Sequence, residues 1–122
     1  MRKIIMFKFI KRLTKSKNEN SKNFKREMAK HLDGRAIKFV IERIDGSDYG
    51  IGREGALIVK DDELLVYSSA DVVFRVKIDD LRASELLNLE GAILTGPDIT
   101  QGGKERTVIA YYTYYLKPGK GL

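Results

Sequence analysis

The stretch Val72-Val73-Phe74-Arg75-Val76-Lys77-Ile78 decides the fold of this 122-residue chain. Its apolar side chains recur at every second position, and the charged side chains of Arg75 and Lys77 fall between them. Because successive side chains of a β-strand point to opposite faces, this alternation predicts a strand with one buried and one solvated face. The neighbouring sequence is expected to supply the strands that pair with it.

Five further stretches have the same strand-like character. They are residues 36–44, 56–60, 64–68, 86–95 and 106–116. Residues 61–63 join two of them in a hairpin, and the loop 96–103 joins the last two. Residues 45–50 are predicted to be a loop, and residues 79–85 a turn or a single helical turn. Six closely spaced strands without a crossover helix predict a mainly β fold: a small antiparallel, partly open barrel with one short N-terminal helix.

The apolar period lengthens from two residues to four near the N-terminus. Phe24, Met28 and Leu32 fall on one helical face, which predicts a short amphipathic helix over residues 23–32. Its first residue, an asparagine, is the expected N-cap, and Gly34 is expected to end it.

These elements divide the chain into three parts. Residues 1–22 are expected to form a basic, flexible arm, because residues 14–23 are polar and lack an apolar period. Residues 23–117 are expected to form a single small β-barrel domain with its strands within residues 35–117. Residues 118–122 are expected to be a tail.

Charge is distributed unevenly between the arm and the rest of the chain. Residues 1–30 contain 11 of the 23 Lys/Arg and only two Asp/Glu, whereas residues 31–122 contain 12 Lys/Arg and 15 Asp/Glu. Wound as a helix, residues 5–15 carry an apolar stripe beside a cationic one, which is typical of a helix at an anionic membrane surface. The candidate membrane or anion contacts are Lys8, Lys11, Arg12 and Lys15. Two other interpretations stay open: a disordered arm, or translation that starts at Met6 or Met28.

The run Tyr111-Tyr112-Thr113-Tyr114-Tyr115 is the most unusual part of the predicted barrel. A period of two places Tyr112 and Tyr114 on one face of the strand and Tyr111 and Tyr115 on the other. If the first face serves the core, Tyr111 and Tyr115 form a candidate surface for a protein partner or for self-association. A central strand covered on both faces by the barrel wall and the helix is the more favoured interpretation, and stacking on nucleobases is the least favoured.

The hexapeptide Gly50-Ile51-Gly52-Arg53-Glu54-Gly55 matches the glycine pattern of dinucleotide-binding loops. That pattern works only where the last glycine opens a helix whose amides face the pyrophosphate. The residues that follow, 56–59, are predicted to be a strand. We therefore interpret the three glycines as loop residues that need a positive φ, and expect no nucleotide cofactor.

Few side chains of the chain are suited to catalysis or metal binding. There is no cysteine, and His31 is the only histidine, which excludes thiolate chemistry, multi-histidine metal sites and a Ser/His/Asp triad. His31 is expected at the end of the helix or on the surface. The carboxylate clusters at residues 61–63 and 79–80 are interpreted as solvated turns. We expect no enzyme activity, no cofactor and no metal.

The sequence resembles two families of small β-barrels. The segments that resemble bacterial pleckstrin-homology-like and GRAM-type domains are Gly55-Ala56-Leu57-Ile58-Val59, Leu64-Leu65-Val66-Tyr67, Val73-Phe74-Arg75-Val76 and Asp80-Leu81, within about 27 residues. An N-terminal helix followed by a bent barrel is similar to Sm-like proteins. The residues that carry this second resemblance are Asp45-Gly46, Gly55, Leu57, Asp61 or Asp62, and Leu65. The first resemblance, which is favoured, implies a binding module; the second implies an RNA-binding ring.

Taken together, these features predict a cytoplasmic, non-enzymatic interaction module. A protein partner or self-association is expected first, and an anionic membrane surface second, which would place the protein peripherally at the inner membrane. Nucleic acid is the less favoured partner, and no small-molecule substrate is expected. The alternative function is that of an Sm-like RNA-binding protein.

Overall fold

One helix leads into an eight-stranded antiparallel sheet in the computed structural model, which describes residues 21–113. The helix is α1 (Lys22–Leu32), and the strands are β1 (Ala36–Ile44), β2 (Ser47–Gly52), β3 (Gly55–Lys60), β4 (Glu63–Ser68), β5 (Asp71–Lys77), β6 (Arg82–Glu85), β7 (Gly91–Asp98) and β8 (Lys104–Tyr112). Short 3₁₀ turns lie at Ile78–Asp80 and Ile99–Gln101. The predicted fold class, a mainly β and partly open barrel with one helix, is confirmed.

The number of strands was underestimated from the sequence. Residues 45–50, predicted to be a loop, contain a two-residue turn followed by β2. Asp45 and Gly46 have φ of 50° and 81°, the left-handed conformations that close a tight hairpin between twisted strands. Residues 82–85, predicted to be part of a turn, form β6, and β7 begins at Gly91 instead of residue 86. The Asp-Gly pair was the signal that the sequence offered for β2.

The glycines of the rejected nucleotide pattern lie in two strands, with no helix after them. Gly50 and Gly52 belong to β2 and Gly55 begins β3. The expectation that they need a positive φ is wrong, since none of the three has one. Gly55 is required for close approach instead: a Cβ atom there would lie 1.8 Å from the main-chain oxygen of Tyr67 on β4.

The sheet curls because β1 is shared by three neighbours. The strand order is β5-β4-β3-β1-β8-β7-β6, and β2 pairs with the second half of β1 on the same side as β3. Irregular register near Lys38 and between Val40 and Ile41 lets β1 bend between these partners. The terminal strands β5 and β6 do not pair with each other within the described residues. The barrel is therefore open along one seam.

The predicted helix is confirmed to within a residue, but its cap differs. Ser21, not Asn23, is the N-cap, and its hydroxyl oxygen accepts a hydrogen bond from the main-chain nitrogen of Phe24 at 3.1 Å. Gly34, with φ of 85°, follows the end of the helix as expected. Leu32 is completely buried and anchors α1 to the barrel. The core contains Leu32, Ile37, Val40, Leu57, Leu64, Val66, Phe74, Val76, Leu81, Ala83, Ala92, Leu94, Val108, Ala110 and Tyr112.

Candidate functional site

Several residues singled out from the sequence lie outside the described residues. These are the candidate membrane contacts Lys8, Lys11, Arg12 and Lys15, and the candidate partner contact Tyr115. Their roles stay predictions.

Tyr111 lies where the two-residue period placed it, on the outer face of β8. Its ring packs against Phe39 of the paired strand β1, with ring centroids 4.7 Å apart. Phe39 is 40% exposed, whereas Tyr111 is half-buried. Tyr112 is completely buried in the core, as the face assignment predicted. The outer aromatic pair, Phe39 and Tyr111, is thus a small surface, partly covered by its own ring contact.

A larger opening, which we name the barrel mouth, lies where the strands on both sides of the seam diverge. It is a cavity of about 410 Å³. Its lining residues are Ile51 of β2, Val72 and Val73 of β5, Thr100 and Gln101 of the second 3₁₀ turn, and Arg106 of β8. Four separate parts of the chain therefore meet at this one opening.

Among the described residues, three of the five exposed large apolar side chains belong to elements that border the barrel mouth. Tyr49 is 53% exposed and Ile44 is 44% exposed; both belong to the β1–β2 hairpin. Tyr49 pairs with Glu42, so the two side chains project from the same face of that hairpin as the mouth-lining Ile51. Ile99, which is 37% exposed, lies in the 3₁₀ turn that lines the opposite side. This site was not predicted from the sequence, because residues 45–50 were interpreted as a loop.

The second edge of β2 is unpaired along the barrel mouth. β2 pairs only with β1 among the strands of residues 21–113. It carries neither lysine nor proline, two residue types that natural proteins use to protect free edges. An unprotected edge beside a cavity that is lined in part by Ile51, Val72 and Val73 is suited to pairing with an added strand.

A buried ion cluster is built around Arg106, which also lines the barrel mouth. Arg106 donates two hydrogen bonds to the Glu42 carboxylate, from Nε at 3.0 Å and from Nη2 at 2.7 Å. Its Nη1 donates a hydrogen bond to Asp98. Asp98 is the one charged residue among residues 21–113 that is completely buried. These hydrogen bonds from Arg106 lower the pKa of Glu42, and the bond to Glu42 chiefly raises the pKa of Arg106. Lys104, which pairs with Asp98 in the β7–β8 ladder, also lowers the pKa of Glu42, so two cations face the two carboxylates.

The turns around the barrel mouth are also rich in carboxylates. Asp45 lies in the β1–β2 turn, Glu54 between β2 and β3, and Asp71 at the start of β5. The main-chain oxygen of Glu54 accepts a hydrogen bond from the nitrogen of Ser69, which joins the β2–β3 connection to the β4–β5 turn. These three carboxylates outnumber Arg53, the cation in the same turns, so they favour a basic ligand over phosphate.

A second cluster joins the end of α1 to the barrel. Tyr112 donates a hydrogen bond from its hydroxyl to Glu85 at 2.7 Å, and the ring of His31 lies 3.1 Å from the same carboxylate oxygen. The guanidinium carbon of Arg35 lies 3.6 Å from the centroid of the Tyr112 ring. Burial, followed by the bond to Glu85, raises the pKa of Tyr112. His31 is placed at the helix end as predicted, in a packing contact between α1 and β6.

Four of the five residues of the two carboxylate clusters lie in turns, as predicted, whereas Glu63 begins β4 and pairs with Arg75. Asp61 and Asp62 form the β3–β4 turn with φ of 52° and 65°. Arg26 of α1 bridges Asp62 at 3.6 Å and Asp79 at 3.3 Å. Within residues 21–113, no three His, Asp or Glu side chains are grouped to hold a metal ion.

Comparisons with known proteins assign no family to this chain. No family model matches the sequence, and no curated protein or solved structure matches it either. In the part of the chain that the structure describes, no helix has the length and apolar character needed to cross a membrane.

Proposed function

We propose that this chain is a non-enzymatic interaction module, pleckstrin-homology-like in its barrel, whose mouth binds an extended segment of another protein. The observation that carries the proposal is the unpaired edge of β2 beside the cavity, where Tyr49 is 53% exposed. An added strand would satisfy the main-chain groups of this edge and direct alternate side chains into the opening.

The chemistry of the mouth defines the segment it would accept. The rim formed by Ile44, Tyr49 and Ile99 favours an apolar side chain. The surrounding carboxylates favour Lys or Arg on either side of it, because complementary charges speed encounter and select against acidic sequences. The proposed ligand is therefore an extended peptide with an apolar centre and basic flanks.

A library of peptides displayed on phage and selected against the full chain tests this proposal. We expect enriched peptides to carry an apolar residue between basic ones, and to lose binding to a Tyr49→Ser variant. Phe39→Ser is the matched control, since it removes a similarly exposed ring from the outer aromatic pair. The proposal fails if no peptide is enriched above uncoated matrix, or if Phe39→Ser abolishes binding and Tyr49→Ser preserves it.

Docking at an anionic membrane is a second part of the proposal, and it rests on the arm. Lys8, Lys11, Arg12 and Lys15 would each contribute on the order of 1 kcal/mol near such a surface. Co-sedimentation with phosphatidylserine vesicles compares the full chain with a variant that has alanine at all four positions. We expect more of the unmodified chain in the pellet, with the difference disappearing at high salt. Equal sedimentation of the two would contradict a role for the arm.

RNA binding by an Sm-like ring is the alternative function, and the charge of the described residues supports it less. Residues 21–113 contain 14 Lys/Arg and 16 Asp/Glu. Several of these cations already face carboxylates, as in the pairs Arg43–Asp48 and Arg82–Glu105. A ring-sized mass by light scattering, together with a salt-dependent shift of single-stranded RNA, would favour this alternative over ours.

A further inference from the structure

The open seam of the barrel leaves one edge of β5 without a strand partner. β5 pairs with β4 along its other edge, and no other strand of residues 21–113 pairs with it. Main-chain groups along such an edge need hydrogen-bond partners when they are shielded from water. β5 is also rich in Val and Phe, the composition of a strongly strand-forming segment.

Two side chains bind this edge where a strand would otherwise pair. Asp98 accepts a hydrogen bond at Oδ1 from the main-chain nitrogen of Arg75 at 3.1 Å. Arg106 donates from Nη1 to the main-chain oxygen of Val73 at 3.1 Å. We name Asp98 and Arg106 the clasp, because together they attach β5 to the β7–β8 hairpin.

The clasp is itself held rigidly by its neighbours. The Oδ1 atom of Asp98 also accepts hydrogen bonds from the nitrogen of Thr100 at 2.9 Å and from its hydroxyl at 2.8 Å. Arg106 is anchored to β1 by its two bonds to Glu42. At Gly96 the chain approaches so closely that a Cβ atom would lie 2.8 Å from the Val76 side chain. The seam is therefore closed by side chains and close contact, without strand pairing.

The two main-chain groups held by the clasp are those that a symmetric pair of β5 strands would use. In an antiparallel pair related by a two-fold axis at Phe74, Val73 of one copy faces Arg75 of the other. In that register the two residues form a hydrogen-bonded pair. The nitrogen of Arg75 in each copy donates to the oxygen of Val73 in the other copy. The same register places Asp71 opposite Lys77 at each end of β5, and both are exposed. The edge is thus complementary to itself in hydrogen bonding and in charge.

We infer that the clasp conceals a self-association edge: when it opens, β5 pairs with β5 of a second copy of this chain. Pairing requires the segment from Asp98 to Gln101 to move away, which the loss of either side chain of the clasp would permit. The resulting dimer is isologous and joins two sheets into one. This inference concerns the edge of β5, but Thr100, Gln101 and Arg106 also line the barrel mouth, so opening the clasp would change that site as well.

Two variants of the full chain open the clasp in different ways. Asp98→Asn keeps a hydrogen-bond acceptor but removes the charge, and Arg106→Lys keeps the charge but removes the planar fork. We expect light scattering over a dilution series to give the 13.9 kDa chain mass for the unmodified protein and about twice that mass for each variant. Circular dichroism confirms that the variants are folded. Glu105→Gln is the matched control, since it breaks an exposed ion pair on β8 and should stay monomeric.

Charge reversal tests the register of the pair. Added to Asp98→Asn, Asp71→Lys places like charges opposite each other and should abolish the dimer; adding Lys77→Asp as well should restore it. Dimers unaffected by Asp71→Lys would overturn the inference, as would folded clasp variants that stay monomeric.

Cross-linking of the unmodified chain tests the inference even if the variants fold poorly. An edge concealed by the clasp implies transient opening of the unmodified chain, so a zero-length carbodiimide should join Asp71 of one copy to Lys77 of another at high protein concentration. Within one chain these residues lie at opposite ends of a seven-residue strand, roughly 20 Å apart, so the link reports on pairing between copies. Failure to detect this link by peptide mapping, after exhaustive reaction, would overturn the inference.

Discussion

Arg106 and Arg35 lie near opposite ends of β1, and both side chains are largely buried, at 10% and 16% exposure. The guanidinium of Arg106 bonds to two carboxylates and to a main-chain oxygen, drawn from three strands. The guanidinium of Arg35 lies on the Tyr112 ring, with Glu85 3.8 Å from its Nη1. Its Nη2 is buried without a hydrogen-bond partner among the described residues.

The difference shows how surroundings give one residue type two structural roles. Arg106 replaces missing strand pairing, so its removal leaves two carboxylates and a strand edge without their donor. Arg35 mainly covers an aromatic ring, which an apolar side chain of similar length also does. The two arginines should therefore differ in how much stability depends on their charge.

The largest expected effect is the difference between Arg106→Met and Arg35→Met in the free energy of unfolding. We expect Arg106→Met to lower the free energy of unfolding by about 3 kcal/mol, because Asp98 becomes an uncompensated buried charge. Arg35→Met should cost about 1 kcal/mol or less, since Glu85 keeps the donors Tyr112 and His31. Urea titration of both variants gives the two values. Equal losses would show that the two clusters play the same role.

An intermediate effect is expected from Tyr112→Phe, which removes one hydroxyl from the Arg35 cluster. The hydroxyl donates to Glu85 at 2.7 Å, and the ring and its contact with Arg35 remain. We expect a loss of about 1 kcal/mol in the free energy of unfolding at neutral pH. A double-mutant cycle with Arg35→Met measures the coupling within the cluster. A loss as large as that of Arg106→Met would contradict the expectation that stability depends less on the cluster around Arg35 than on the cluster around Arg106.

The smallest expected effect is that Glu42→Gln changes how the stability of the protein depends on pH. Its pKa is lowered chiefly by the hydrogen bonds from Arg106, so the ionised carboxylate stabilises the folded protein above the pKa of the unfolded chain. That stabilisation is lost as the pH falls through the folded-state pKa. Urea midpoints measured from neutral pH to about pH 3 should therefore fall less steeply in Glu42→Gln than in the unmodified protein.

Asp48→Asn is the control for this prediction. The bond from Arg43 also lowers the pKa of Asp48, but both side chains are more than 40% exposed, so water screens the pair. The urea midpoint of Asp48→Asn should therefore fall with decreasing pH as steeply as that of the unmodified protein. If the urea midpoints of Glu42→Gln and the unmodified chain fell equally steeply with pH, the ion pair between Arg106 and Glu42 would not contribute to stability in acid.

Local patterns were sufficient to predict much of the barrel. The alternation around Phe74 and the four-residue period of Phe24, Met28 and Leu32 identified β5 and α1, because both periods are set by backbone geometry. Two-residue alternation also separated buried Tyr112 from half-buried Tyr111. Strand number was predicted less well, since the tight turn at Asp45-Gly46 leaves room for β2 within a segment that resembles a loop.

The candidate site could not be predicted in the same way, because its parts are distant in the chain. Glu42 and Arg106 are 64 residues apart, and Asp98 reaches Arg75 across 23. No local period indicates which of 23 cations meets a buried carboxylate, or which strand edge stays unpaired. The sequence by itself determined the strand faces, the helix and the separation of charge between arm and barrel. Only the tertiary structure decided where β5 ends the sheet and which side chains close it, because that depends on contacts between distant strands.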